Sequence, residues 1–198
     1  MKKFFIFAVA SLMMSLSANA QEGYDNTKHE IALGYGIYSN SQWIDVMEEV
    51  SGIIFGGDYE NEKFIGPISA EYFYRFKKWL GVGGIFVYGR NQQDMMDGGV
   101  KDAEASHNYL TLMPAAKFDW LRKKNWGLYS KLALGATFRT QKVDYEDPTE
   151  DDVDDSAVHF NWQATLIGVE AGSPNIRGFL EFGVGEQGLL LLGVRYKF

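Results

Sequence analysis

The chain reads as all-β, an eight-stranded antiparallel up-and-down transmembrane β-barrel. Three observations in the 198-residue sequence predict it. Apolar residues recur with period two in eight stretches, the signature of strands with two unlike faces. The connections between stretches alternate between short and long. Charges that fall inside stretches take the face opposite the large aliphatic side chains.

The first stretch, 29–39, sets Ile31, Leu33, Tyr35 and Ile37 against Glu30, Ala32, Gly34 and Gly36. The second, 65–76, sets Ile68, Ala70, Tyr72, Tyr74 and Phe76 against Ser69, Glu71, Phe73 and Arg75. In the third, 80–90, the faces differ mainly in size, with Leu80, Val82, Phe86 and Tyr88 opposite a glycine-rich face. The fourth, 107–120, aligns Leu110, Leu112, Ala116, Phe118 and Trp120 opposite Tyr109, Thr111, Lys117 and Asp119.

The fifth, 126–141, aligns Trp126, Leu128, Leu132, Leu134 and Phe138 opposite Tyr129, Lys131, Gly135, Thr137 and Arg139. The sixth, 158–171, opposes Phe160, Trp162, Ala164 and Leu166 to His159, Asn161, Gln163 and Thr165. The seventh, 178–185, opposes Leu180, Phe182 and Val184 to Glu181 and two glycines. The eighth closes the chain with Leu190, Leu192, Val194, Tyr196 and Phe198 on one face and Gly193, Arg195 and Lys197 between them.

Short turns fall at 77–79, 121–125 and 172–177, the last with Pro174 and Asn175 as turn formers. Long connections span 40–64, 91–106 and 142–157, and only 185–188 is a tight turn at that end. Short turns at one end and long loops at the other fit a barrel crossing a bilayer, with short periplasmic turns and three long extracellular loops.

Charge placement separates this reading from a soluble barrel. Glu30, Glu71, Arg75, Lys131, Arg139, Glu181 and Arg195 all fall on the small, glycine-rich face. Turned into a closed barrel, that face leaves the apolar face to lipid and no sheet edge unpaired. Enclosed charges of both signs must pair, so these seven residues are expected to form one buried polar network, with Tyr129 and Phe73 helping to fill the interior. Phe76, Trp79, Phe118, Trp120, Trp126, Tyr196 and Phe198 gather beside the short turns, and Tyr88, Phe138, Phe160 and Trp162 beside the long loops. Such belts mark the two bilayer interfaces.

The N-terminus carries Lys2 and Lys3, an apolar run from Phe4 to Leu16, and Ala18-Asn19-Ala20. That is the pattern of a cleaved export signal over 1–20, with Ala18 and Ala20 at the cleavage site and a barrel domain over 21–198. Removing the two lysines takes the net charge from −7 to −9, so no basic nucleic-acid footprint exists. The chain has no cysteine, which excludes disulfides, thiolate metal sites, cysteine nucleophiles and a lipidated cysteine.

With these residues in place the chain resembles the small eight-stranded outer-membrane barrels of the OmpA and OmpX type. The most specific part of the resemblance is the terminal alternation Leu190, Leu192, Val194, Tyr196, Phe198. It looks like the signal read by the barrel assembly machinery during biogenesis, since a last strand can pair by edge addition while offering one face to lipid. The resemblance implies a bacterial outer-membrane location and contact with outer-membrane lipid. It names no extracellular ligand.

Three further features bear on function. Trp43, Met47, Val50 and Ile54 stand at helical spacing beside Asp45, Glu48 and Glu49, and would form a short amphipathic helix that packs on its own barrel or rests on a partner or membrane. Eight carboxylates crowd 142–157 without the glycine and spacing of a calcium loop, and read as a solvated acidic loop before a cation site. His29, His107 and His159 lie on three different strands with no HExxH, GxSxG or phosphate-loop motif, so neither catalysis nor a cofactor is supported. The expected function is a non-enzymatic scaffold displaying surface loops for envelope integrity, adhesion or surface recognition. A narrow solute pore and a lipid-modifying enzyme are the alternatives, the pore being disfavoured because eight strands enclose only enough room for side chains.

Overall fold

A computed structural model describes residues 27–43, 58–97, 100–145 and 153–198. The export segment 1–20, the positions Met47, Val50 and Ile54, and most of the acidic stretch 142–157 lie outside the described side chains. Eight strands follow in chain order: β1 (His29–Ile37), β2 (Asp58–Lys77), β3 (Leu80–Asp97), β4 (Val100–Arg122), β5 (Trp126–Tyr145), β6 (Val153–Gly172), β7 (Ile176–Gly185) and β8 (Leu190–Lys197). Each pairs with its sequence neighbour, and β8 pairs back onto β1, closing the barrel. All pairings are antiparallel.

Alternation decides which way each side chain points. Ile31, Leu33, Tyr35 and Ile37 of β1 face out, while Glu30 and Ala32 are buried. The same holds around the wall, where Leu33 is 67% exposed and Leu192 61%. A continuous apolar surface of that extent would be untenable against water, and its natural neighbour is lipid. No helix of the described residues is long and apolar enough to cross a membrane.

β1, β7 and β8 are 9, 10 and 8 residues long, close to the roughly 9–11 that a tilted strand needs to cross. β2 to β6 run much further, to 18–23 residues. The long connections expected at 91–106 and 142–157 are therefore largely paired ladder: β3 and β4 stay in register from Arg90↔Asn108 to Asp97↔Val100, with a shift at Met95/Met96. β5 and β6 stay paired out to Val143↔Val153. Residues 40–43 after β1 are helical, and at their start Ser39 Oγ accepts from the Gln42 backbone amide at 3.2 Å while Gln42 Oε1 accepts from the Ser39 backbone amide at 2.7 Å. That reciprocal arrangement satisfies two amides that the helix start leaves bare.

Both ends of the described chain meet beside the short turns. The Lys28 and His29 amides donate to the Phe198 carbonyl at 3.0 and 2.9 Å. His29 stacks on Phe198 with ring centroids 5.3 Å apart, joining the aromatic belt at this end.

Candidate functional site

The lumen is where the chain concentrates its buried chemistry. In its lower half, nearer the short turns, the carboxylates Glu30, Glu71, Asp119, Glu170 and Glu181 meet the cations Arg75, Lys117, Lys131, Arg177, Arg195 and Lys197, all buried. Arg195 on β8 is the hub. Its Nη1 lies 2.7 Å from Glu170, its Nη2 lies 3.1 Å from Glu71 and 3.6 Å from Glu181, and its Nε lies 3.7 Å from Glu30. One guanidinium thus touches four glutamates carried by β1, β2, β6 and β7. Only a planar group with donors on two edges can do this.

The other cations divide the same carboxylates. Lys131 bridges Glu71 and Glu181, Lys117 reaches Glu30 at 2.7 Å, and Arg75 and Lys197 pair with Glu30 and Glu170 respectively. Tyr129 stands in the middle. Its hydroxyl donates to Glu181 at 2.6 Å, and its ring lies 4.3 Å from the Lys117 ammonium and 4.7 Å from the Arg195 guanidinium. The ring fits because Gly168 lies beneath it; a β-carbon there would sit 2.5 Å from the ring. Burial of each ion is costly alone, and the shared pairing offsets that cost. On the β2–β5 side the lumen is filled instead by Phe73, Ile85, Val87, Met113 and Ala133.

Of the seven residues expected in one network, Glu30, Glu71, Arg75, Lys131, Glu181 and Arg195 come together in these contacts. Arg139 stands higher on β5, with its guanidinium 5.8 Å from the Tyr109 ring, and takes no part in the pairs just named. Lys117, Asp119 and Lys197, which alternation also turns inward, belong to the same network although the sequence reading does not include them in it. Glu170 was missed for a physical reason. A register shift between Thr165 and Ile167 makes Leu166 and Ile167 both face out, at 57% and 43% exposed, and turns Glu170 inward. A β-bulge reverses parity, and strict alternation cannot see it.

Above this network the lumen is closed differently. The tight turn between β7 and β8 folds into the barrel mouth, with Glu186 and Gln187 buried. Gly185 (φ +137°) and Gly188 (φ +97°) bracket it in backbone conformations that favour glycine. Glu186 accepts from the Ser41 amide at 3.1 Å, Ser41 Oγ at 2.6 Å, Thr111 Oγ1 at 3.2 Å and Asn161 Nδ2 at 2.8 Å. Every one of these donors is neutral. Gln187 links the two levels, since its Nε2 donates to Glu71 at 2.7 Å while its amide donates to Gln163 at 2.7 Å.

The three histidines do not converge. His29 belongs to the lower aromatic belt, His107 lies edge-on to Tyr109 at 6.4 Å, and His159 pairs in register with Thr137. Among the described residues no group of three His, Asp or Glu could hold a metal ion. The terminal residues Leu190, Leu192, Val194, Tyr196 and Phe198 all face outward.

No protein-family model matches the chain, and no curated protein matches it. Among solved structures it is similar to Ail, the attachment invasion locus protein of Yersinia pestis, at 15% identity over 87% of this chain and 97% of that one, with a TM-score of 0.46. It is similar to the same protein in complex with the heparin analogue sucrose octasulfate, at 16% identity over 86% of this chain and 99% of that one, with a TM-score of 0.45. A backbone structure of Ail in a phospholipid bilayer nanodisc aligns at 17% identity over 87% and 100% of the two chains, with a TM-score of 0.36. Eight strands closed in sequence order, an apolar outer wall between aromatic belts and a lumen packed with paired charge make the fold that of an eight-stranded transmembrane β-barrel.

Proposed function

We propose that the barrel is a non-enzymatic anchor and that its function is carried by the hairpins raised beyond the membrane. The observation behind this reading is the length of β2 to β6. At 18–23 residues they exceed a crossing by about ten residues, or roughly 30 Å of ladder at the usual rise per residue. Ladder without a lipid face has no use in anchoring; it lifts surfaces away from the membrane, as adhesion or surface recognition requires. The filled lumen favours this role over a solute pore, and the scattered histidines favour it over lipid chemistry.

In the same reading residues 1–20 direct export and are removed, 21–198 form the barrel, and the outward Leu190, Leu192, Val194, Tyr196 and Phe198 engage the assembly machinery before meeting lipid. The short turns are periplasmic.

The test is to replace 92–106 by a two-residue turn, trimming the β3–β4 hairpin to the membrane surface. Full and trimmed chains alike are expected to show heat-modifiable mobility and no single-channel current, while cells carrying the trimmed chain lose adhesion to matrix-coated or epithelial surfaces. If trimmed and full chains support adhesion and detergent resistance equally, the raised hairpin is not the functional part. Current steps from the full chain would favour the pore.

A further inference from the structure

The two lysine-bearing turns at the inner end form a pre-set cationic platform, and we propose that it binds the phosphodiester headgroup of an anionic glycerophospholipid in the periplasmic leaflet. The turn after β2 carries Lys77 and Lys78, and the turn after β4 carries Lys123 and Lys124, all four exposed. Within these turns, from Phe76 to Leu80 and from Phe118 to Trp126, the acidic side chain is Asp119, and it is buried in the lumen. Four cations therefore face outward with no neighbouring carboxylate in either turn. The third inner turn, Ser173, Pro174 and Asn175, is neutral, and Lys28, also exposed, stands near the first lysine turn, where its carbonyl accepts from the Arg75 amide at 2.7 Å.

What distinguishes this cluster from scattered surface lysines is how the turns are held. Arg122 Nη1 donates to the Lys78 carbonyl at 3.2 Å, tying one lysine turn to the other. Arg177 Nη2 donates to the Lys123 and Lys124 carbonyls at 3.1 and 3.2 Å. Both arginines are buried, and Arg177 is itself fixed by Glu170 at 2.7 Å. The lumen network thus extends through the Arg177 guanidinium to the backbone beneath Lys123 and Lys124, and the buried Arg122 ties the same turn to Lys78. Binding to a fixed array avoids the ordering cost that loose lysines would incur.

The ligand class follows from where the platform sits. Trp79 and Trp126, exposed on the outer wall beside these turns, place it at the level of the headgroups. Trp79 stacks on Phe118 with centroids 6.3 Å apart, and the Lys77 ammonium lies 5.7 Å from the Trp79 ring. A lipid whose phosphate meets the lysines can lay its acyl chains along the apolar wall below the indoles. A soluble phosphate gains only the first contact. The proposal relies on the reading above that the short turns are periplasmic.

The test is native mass spectrometry of the full mature barrel released from mixed micelles containing phosphatidylglycerol or phosphatidylcholine. Retained phosphatidylglycerol adducts, few phosphatidylcholine adducts and loss of adducts at high salt are expected. The variant K77Q/K78Q/K123Q/K124Q should lose adducts by roughly tenfold or more, given the attraction of several lysines to an anionic surface. K77R/K78R/K123R/K124R should retain them, as should K101Q/K142Q at the outer end. All variants should show heat-modifiable mobility, because no side chain altered belongs to the lumen network. Equal adducts from the glutamine variant and the parent would overturn the proposal, as would equal retention of glycerophosphoglycerol without acyl chains. Sedimentation with purified peptidoglycan that depends on these lysines while lipid adducts do not would assign the platform to the cell wall instead. Orientation is read separately. Asn125→Cys, the only thiol in the chain, should resist an impermeant maleimide on intact cells, and labelling there would refute the topology without altering the micelle result.

Discussion

The lower and upper halves of the lumen solve the same problem with opposite chemistry. Below, carboxylates are neutralised by full charges, and Arg195 alone reaches four of them. Above, Glu186 is held entirely by neutral donors from Ser41, Thr111 and Asn161, and among the described residues no cation pairs with it. Both groups are buried, but the lower one is built from side chains of the strand ladder whereas the upper one centres on the turn between β7 and β8. A buried ion without its counter-charge has no substitute partner, while a carboxylate near the mouth can be served by hydroxyls, amides or water. The difference teaches where the barrel's rigidity resides: in the charge network, with the turn acting as a cover over it.

The largest effect should come from Arg195→Met. The substitution keeps much of the volume but leaves Glu30, Glu71, Glu170 and Glu181 without their shared partner, and a loss on the order of 3–5 kcal/mol is expected. Arg195 lies on the strand that closes the barrel, pairing with Ala32 of β1 and Arg177 of β7. The network can therefore be completed only when β8 docks, and the variant should also show slower appearance of the heat-modifiable form. Urea titration in detergent and a time course of folding measure the two. A stability within about 1 kcal/mol of the parent would mean that the remaining cations can redistribute, and that no hub exists.

A smaller effect is expected for Glu186→Ala. It removes the acceptor from three buried but uncharged residues, of which Thr111 and Asn161 keep a hydrogen bond to Thr137, for a cost of about 1–2 kcal/mol. Conductance should remain absent, because the lower network still fills the barrel. If the cost equals that of Arg195→Met, the upper group is as irreplaceable as the lower and the comparison fails. Current steps in this variant would show that the turn, and not the charge network, is what closes the lumen.

How much of this contrast could be read from the sequence differs by level. Period two and glycine placement announced the strands, and the inward parity of Glu30, Glu71, Arg75, Lys131, Glu181 and Arg195 was visible because each lies in an uninterrupted alternation. Glu170 was hidden by the bulge at Leu166 and Ile167. Glu186 and Gln187 were hidden because a turn has no parity; the direction of a tight turn is decided by what it meets, here Ser41, Thr111, Asn161 and Gln163. The extension of β3 to Asp97 was invisible for another reason. Asn91 to Asp97 is polar on both faces apart from two methionines, as a strand clear of the membrane can be, and a strand without an apolar face leaves no period to detect.

The smallest effect is expected outside the lumen, at Asp155→Asn near the outer end of β6. Asp155 is exposed, and its Oδ1 accepts from the Ser156 amide at 2.8 Å, a contact that an asparagine oxygen reproduces. Water solvates the carboxylate fully and other acidic residues crowd the same stretch, so losing one negative charge relieves repulsion about as much as it removes any attraction. The change in stability should stay within about 0.5 kcal/mol, with the sign set by ionic strength. The measurement is a urea titration at low and high salt beside Arg195→Met and Glu186→Ala. A cost above about 1 kcal/mol that survives high salt would show that this carboxylate holds the raised ladder together through a specific pair. The division between a rigid, charge-locked barrel and a replaceable outer surface would then have to be moved outward along β6.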